Sequence, residues 1–248
     1  LSKLRAAFVN DCVSTERIAL RGIILGALHG PRQKTFQSYL SNQSPRTYAP
    51  KPAYALNFWR SRGLKPGLVD IFDVVSRRAV RYYSSSVKNT GIVRLGDSRV
   101  EDVMKPPEGM GSYDWIITSP PYYGMRTYIP DQWLRSWFLG GADTVEYVSS
   151  SQIQHSSPED FSDSLKQVWV NARKFASEEA KLVIRFGGIR TRNLDPAEIV
   201  KSSIRDSGWR VTTMRSAGLA SEGKRQADAF LKTRSQPVVE YDIWASPV

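Results

Sequence analysis

The stretch YDWIITSPPYYGM, Tyr113 to Met125, decides how the rest of this chain is read. Its apolar run, Trp115-Ile116-Ile117, has the β-branched and aromatic content of a buried core strand. It ends in Thr118-Ser119-Pro120-Pro121-Tyr122-Tyr123. Two consecutive prolines have no N–H to donate to a sheet, so the ladder must stop there and leave two aromatic rings beyond it.

Outward from this point the second half of the chain alternates strand and helix patterns. GIVRLGD (91–97), DWIITS (114–119), KLVIRFG (181–187), WRVTTMRS (209–216) and VVEYDIWA (238–245) read as strands, with helices at about 157–177 and 195–207. The second helix opens on Asp195-Pro196, a capping residue followed by a first-turn proline, and stops at Gly208. Such alternation predicts an α/β fold with a mostly parallel sheet, helices on both faces and ligands at the carboxyl ends of the strands. The Ser119-Pro120-Pro121-Tyr122 segment stands at such an end.

The first 90 residues read differently. From Leu1 to about Leu28 apolar residues recur at helical spacing, as one long helix or two short ones, up to the helix stop Gly30-Pro31. An excursion at about 30–67 interleaves Arg32, Lys34, Arg46 and Lys51 with aromatic residues and Pro, Gly and Ser. A further helix follows, with Val69, Phe72, Val75, Ala79 and Tyr82 or Tyr83 along one face. We therefore expect a helical region at 1–90 and an α/β region at 91–248.

Composition narrows the classes. At 248 residues and 41% hydrophobic the chain is long enough for a sizeable core, and no run approaches the roughly 20 apolar residues of a membrane span. No secretory signal pattern opens it and Cys12 is its only cysteine, so disulfides and thiolate metal sites are excluded and a cytoplasmic location is expected. His29 and His155 are the only histidines and lack metal-ligand spacing, so no metal site is expected. A formal net charge of +11 favours a polyanionic partner, because Lys and Arg release the counterions condensed on phosphates.

Thr118-Ser119-Pro120-Pro121-Tyr122, closing an apolar strand, resembles the catalytic motif of the S-adenosylmethionine-dependent DNA amino-methyltransferases, over most of Gly91 to Val248. The resemblance implies a Rossmann-like class I methyltransferase sheet, methylation of cytosine N4 or adenine N6, and a setting in restriction-modification or phage defence. The serine form of the motif goes mainly with cytosine N4. Ser119, Pro120, Pro121 and Tyr122 then form the catalytic turn, and Asp97, the acid after the preceding strand, matches a residue beside the cofactor's adenine. Tyr123, Arg126, Tyr128 and Trp133, just after the turn, are expected to wall the target-base pocket.

The chemistry agrees with the motif. An exocyclic amine on cytosine or adenine is a poor nucleophile because its lone pair is delocalised into the ring. A catalyst must accept hydrogen bonds from both N–H groups and draw the nitrogen towards tetrahedral geometry. The Ser119 hydroxyl can supply one acceptor and a main-chain carbonyl the other, which the resemblance makes that of Pro120; Pro-Pro holds its carbonyls rigid without a competing donor. Tyr122 offers a ring for a base turned out of the duplex. Methylation at cytosine C5 needs a cysteine nucleophile in the catalytic loop, and Cys12 reads instead as core filler.

The glycine-rich cofactor turn of that family is not found. Phe186-Gly187-Gly188 reads instead as the end of the strand after the catalytic one, touching the target pocket. The five strands match the third to seventh of a seven-stranded sheet, so the first two and most of the cofactor site are expected upstream of Leu1 or on a second subunit. DNA contacts are expected from Arg32, Lys34, Arg46 and Lys51, and from Lys224, Arg225 and Arg234 in the basic segment Ser221–Pro237. Three rivals stay open: an adenine N6 enzyme, an RNA or protein-glutamine methyltransferase, and a catalytically silent DNA-recognition subunit.

Overall fold

A computed structural model of the chain describes residues 1–28, 39–40, 57, 59–63, 65, 68–85, 91–124, 132–145, 153, 155–188, 194–219 and 239–248. Its elements are α1 (Ser2–Asn10), α2 (Thr15–Ala27), α3 (Ile71–Tyr83), α4 (Glu101–Met104), β1 (Tyr113–Thr118), α5 (Trp133–Phe138), α6 (Pro158–Lys174), β2 (Ala176–Phe186), α7 (Pro196–Ile204), β3 (Trp209–Leu219) and β4 (Val239–Pro247). They form two compact units. The first comprises Leu1–Thr90 and Arg126–Val148, the second Gly91–Met125 and Ser149–Val248. The segment after the proline turn thus groups with the N-terminal helices.

In the first unit the N-terminal pattern resolves into two helices. Ser14 restarts the helix after a break by accepting a hydrogen bond from the Arg17 N–H at 3.3 Å. Phe8, Ile24, Leu28 and Phe138 form the core, with Cys12 and Trp137 packed partly buried against it. Arg5 ties α1 to α5, donating to the Trp137 carbonyl at 2.6 Å with its guanidinium 5.0 Å from the Trp137 ring centre. The buried side of α3 is only partly the expected one, with Val75 and Ala79 half-buried as expected. Val74 is buried and Val75 packs against the core, whereas Phe72, Tyr82 and Tyr83 are exposed. Ile71, Val74 and Arg78 follow the same helical period one residue out of phase, Val75 is common to both faces, and α2 is the neighbour of α3.

The second unit is built on a four-stranded sheet of order β1-β2-β4-β3. Only β1 and β2 pair in parallel, while β4 runs antiparallel to both β2 and β3. The sheet is therefore mixed: β1, β2 and β3 run in one direction, as expected of a mostly parallel sheet, and β4 runs against them. α6 returns the chain from β1 to β2 and α7 carries it from β2 to β3. β4 then fills the gap between β2 and β3 in the opposite direction.

Both α6 and α7 pack on one face. Phe161, Leu165 and Trp169 from α6 and Ile199, Val200 and Ile204 from α7 meet Leu182, Ile184 and Phe186 of β2 and Ile243 and Ala245 of β4. The Trp169 indole N–H donates to Ser203 Oγ at 3.0 Å, and that of Trp209 donates to the Trp169 carbonyl at 2.9 Å. These two bonds join α6, α7 and β3. On the other face Trp115 and Ile117 are 56% and 74% exposed, with Trp244 meeting Trp115 edge-on at 6.0 Å. β1 is therefore not the buried strand of the sequence reading. Among the described residues it pairs only with β2, and of its side chains Ile116 packs against the core.

GIVRLGD is not a strand either. Residues 91–97 have no regular structure, and Ile92, Val93 and Leu95 are exposed. A strand exists only where its backbone groups find a ladder partner, and an alternating pattern cannot supply one. Among the described residues no helix is long and apolar enough to cross a membrane.

Trp169→Ala is expected to destabilise the second unit by about 3–5 kcal/mol, through the cavity it leaves and the orphaned Trp169–Ser203 bond. Urea unfolding followed by Trp fluorescence checks this. A loss below about 1 kcal/mol would show that the α6–α7–β3 junction is not where the unit's stability resides.

Candidate active site

The turn after β1 is shaped by its neighbours at the carboxyl ends of β1 and β2. Thr118 pairs with Ile184, the last β1–β2 pair, while β2 continues to Phe186, which pairs with Tyr241 of β4. β2 and β4 thus outrun β1 by two residues, and the turn occupies that step. Ser119 is exposed and Pro120 is buried.

Tyr122 is held from three sides. Its ring meets Phe186 edge-on, with centres 5.6 Å apart. Its hydroxyl donates to Glu240 Oε1 at 2.5 Å. A methyl group added at Gly187 would lie 3.1 Å from Tyr122 Cε2 and 3.0 Å from Glu240 Cγ, so ring and carboxylate stem would have to give by a few tenths of an ångström to admit it.

Tyr123, expected to wall a pocket, is 4% exposed and belongs to the core. It packs on Phe161 at 5.4 Å, and Phe161 stacks on His155 at 5.2 Å. Gly124 closes the turn with φ +82° and donates its N–H to His155 Nδ1 at 3.0 Å. In that bond Nδ1 of the imidazole is the acceptor. Just beyond, α6 starts on Ser157, whose hydroxyl accepts from the Asp160 N–H at 3.0 Å. Ser156 and Ser157 hold the Asp160 carboxylate below its usual range.

Across β2 and β4, Arg185 makes a bidentate pair with Asp242, both bonds at 2.7 Å. The pair lowers Asp242 and raises Arg185, to which the nearby Glu240 and Tyr122 also contribute. The edge therefore combines an exposed hydroxyl, a buried proline and a fixed phenol ring with a carboxylate-rich flank.

Asp97 is not brought to this edge. Its carboxylate accepts from the Arg99 backbone N–H at 2.9 Å and pairs with the Arg99 guanidinium, the shortest contact being 2.6 Å. The buried Asn171 amide donates to the Ser98 and Arg99 carbonyls, at 3.2 and 2.8 Å. Asn171 and Phe161 are ten residues apart on α6, about 15 Å along its axis. Asp97 thus lies towards the opposite end of the helix from Tyr123. Its hydrogen bonds with Arg99 hold its carboxyl below the usual range. The acid expected beside the cofactor's adenine is a turn-forming residue bound to its own arginine.

Trp133 starts α5 in the first unit, half-buried, its Nε1 buried without a hydrogen-bond partner among the described residues. Arg126, Tyr128, Arg32, Lys34, Arg46, Lys51, Lys224, Arg225 and Arg234 lie outside the described residues. The sequence reading missed Glu240 and His155. His155 had one signal, being one of only two histidines in the chain; Glu240 had none, since it lies 118 residues from Tyr122. No protein-family profile matches the chain, and no curated protein is detectably similar to it in sequence.

Gly187→Ala is expected to cost about 1–3 kcal/mol, read as a lower urea midpoint together with a changed near-UV aromatic signal. An unaltered midpoint would mean that Tyr122 is not packed against this backbone. For Asp97 the folded pKa is depressed, so its pairing stabilises above the ordinary carboxylate pKa and the contribution is lost as pH falls through the depressed value. Arg99→Gln should therefore be less stable than wild type at neutral pH, with the difference shrinking to nothing in acid. A difference that persists in acid would assign the loss to something other than this pair.

Proposed function

We propose that the chain carries the target-base side of a DNA methyltransferase, which transfers a methyl group from S-adenosylmethionine to the exocyclic amine of a base turned out of the duplex. Cytosine N4 is favoured over adenine N6. The observation that carries this reading is the end of β1, where exposed Ser119 and buried Pro120 stand beside the carboxyl end of the parallel β2 and Tyr122 is held at Gly187. Ligand sites of α/β sheets lie at this edge, and the residue types there suit an amine.

Each group has a task that follows from its chemistry. The Ser119 hydroxyl and the Pro120 carbonyl accept the two N–H groups of the amine, which localises the nitrogen lone pair. Pro121 keeps the turn rigid and free of a competing backbone donor. Tyr122 presents its ring to the flipped base, where stacking of a base on an aromatic contributes about 1–3 kcal/mol. S-adenosylmethionine supplies the methyl group, and its binding falls to residues beyond those described, upstream or on a second subunit. The net charge of +11 suits a phosphate backbone as the partner.

A second reading is a recognition subunit that binds DNA without catalysing transfer. It is favoured by the engagement of Asp97 with Arg99 away from the turn. Nucleoside mass spectrometry of DNA incubated with S-adenosylmethionine and the chain, alone and with the proteins encoded beside it, separates the two. N4-methylcytosine is the expected product. N6-methyladenine would reverse the base assignment, and DNA binding without any modified base would favour the recognition subunit. Ser119→Ala is expected to lower turnover by about 100-fold with DNA affinity retained, and near wild-type turnover would remove Ser119 from the mechanism.

A further inference from the structure

Glu240 and Tyr122 meet across 118 residues of sequence, at 2.5 Å, where β4 begins beside the end of β2. A phenol that donates to a carboxylate makes a charge-assisted bond, stronger than one between neutral groups. The contact sits beside a second restraint, since the Tyr122 ring and the Glu240 stem close tightly on the Gly187 backbone, 3.0 to 3.2 Å from where a Cβ would stand. A third is Phe186, edge-on to the ring. Proline at 121 fixes the chain just before Tyr122. A tyrosine at the tip of a turn would otherwise rotate about its side-chain bonds and lose rotamer freedom each time it stacked on a ligand. Here the hydroxyl anchors the far end of the ring and the backbone anchors the near end.

We propose that Glu240 is a positioning residue that holds the Tyr122 ring in the orientation required to receive the target base. The role rests on the methyltransferase reading above; the contact itself does not. Glu240 touches neither the amine nor the methyl donor and acts through Tyr122 alone. It follows that the Tyr122 hydroxyl is committed to the protein and gives no hydrogen bond to the base. Tyr122 therefore recognises the base by its face, and the choice among bases falls to the acceptors Ser119 and Pro120, which select bases that carry an amine.

The test uses the full chain with whatever partner supports turnover, and compares Glu240→Ala, Glu240→Gln and Tyr122→Phe with the double variant Glu240→Ala/Tyr122→Phe. Glu240→Ala is expected to lower kcat about tenfold with the KM for DNA little changed, a size set by the loss of one hydrogen bond to a charged group. Glu240→Gln, which keeps an acceptor oxygen, should recover most of that loss. Tyr122→Phe should resemble Glu240→Ala, and the double variant should be no worse than either single one. Ultraviolet resonance Raman provides a readout that needs no turnover. The wild-type minus Tyr122→Phe difference spectrum should carry the tyrosine doublet of a strong hydroxyl donor, and Glu240→Ala should abolish that signature. Losses that add in the double variant, a Glu240→Ala protein with wild-type kcat, or a doublet indifferent to Glu240 would each overturn the proposal. An intact Raman signature in a protein that methylates no base under any pairing would overturn the role and the methyltransferase reading together, leaving the Tyr122–Glu240 contact standing.

Discussion

Two missing N–H groups, at Pro120 and Pro121, organise the whole of this edge. Without them β1 cannot follow β2 beyond the Thr118–Ile184 pair, whereas β2 and β4 stay paired as far as Phe186 and Tyr241. The result is a step in the sheet whose floor is the end of β2. Into that step fall Pro120, which is buried, and Tyr122, which rests on Phe186 and Gly187. Had either position offered a donor, the ladder could have continued and the aromatic residues would have lain along the sheet. The abrupt end of the strand is thus a way of making a recess with fixed walls.

Helix α6 relates this recess to the rest of the second unit. Its capped start lies beside the turn, where Phe161 links Tyr123, His155 and Phe186 into one aromatic cluster. Its far end lies where Phe175 accepts from the Tyr113 N–H at 2.7 Å and Asn171 holds the Ser98–Arg99 turn. Acidic residues in its first turn and Arg173 and Lys174 in its last suit the helix dipole at both ends. The same rigid element therefore keeps the Tyr122 recess and the Asp97 turn apart. Their separation follows from helix length.

Much of the architecture was legible because period and punctuation are local properties. The strands at 113, 181, 209 and 238 were found within a few residues of their observed starts, apart from β2, which begins earlier, at Ala176. Asp195-Pro196 marked the start of α7, and Asp195 does accept from the Ala197 N–H at 2.9 Å. What failed were inferences about neighbours. GIVRLGD has the right pattern and no ladder partner among the described residues, Phe72 has the right period and the wrong phase, and Trp115 and Ile117 read as core on a face left exposed. In the candidate site, the turn itself was legible in Ser119-Pro120-Pro121-Tyr122, whereas its anchors Glu240 and His155 were not.

By itself the sequence determined where strands stop, which helices are capped, and that a hydroxyl, two prolines and an aromatic ring stand in a row at the end of an apolar run. Those are consequences of covalent geometry and nearest-neighbour hydrogen bonding, and they need no knowledge of the remaining chain. Only the tertiary structure decided that β4 enters between β2 and β3 and that Glu240 receives the Tyr122 hydroxyl. Both depend on which distant segments burial brings together, and pairing energy between segments far apart in sequence leaves no mark on the local pattern of either partner.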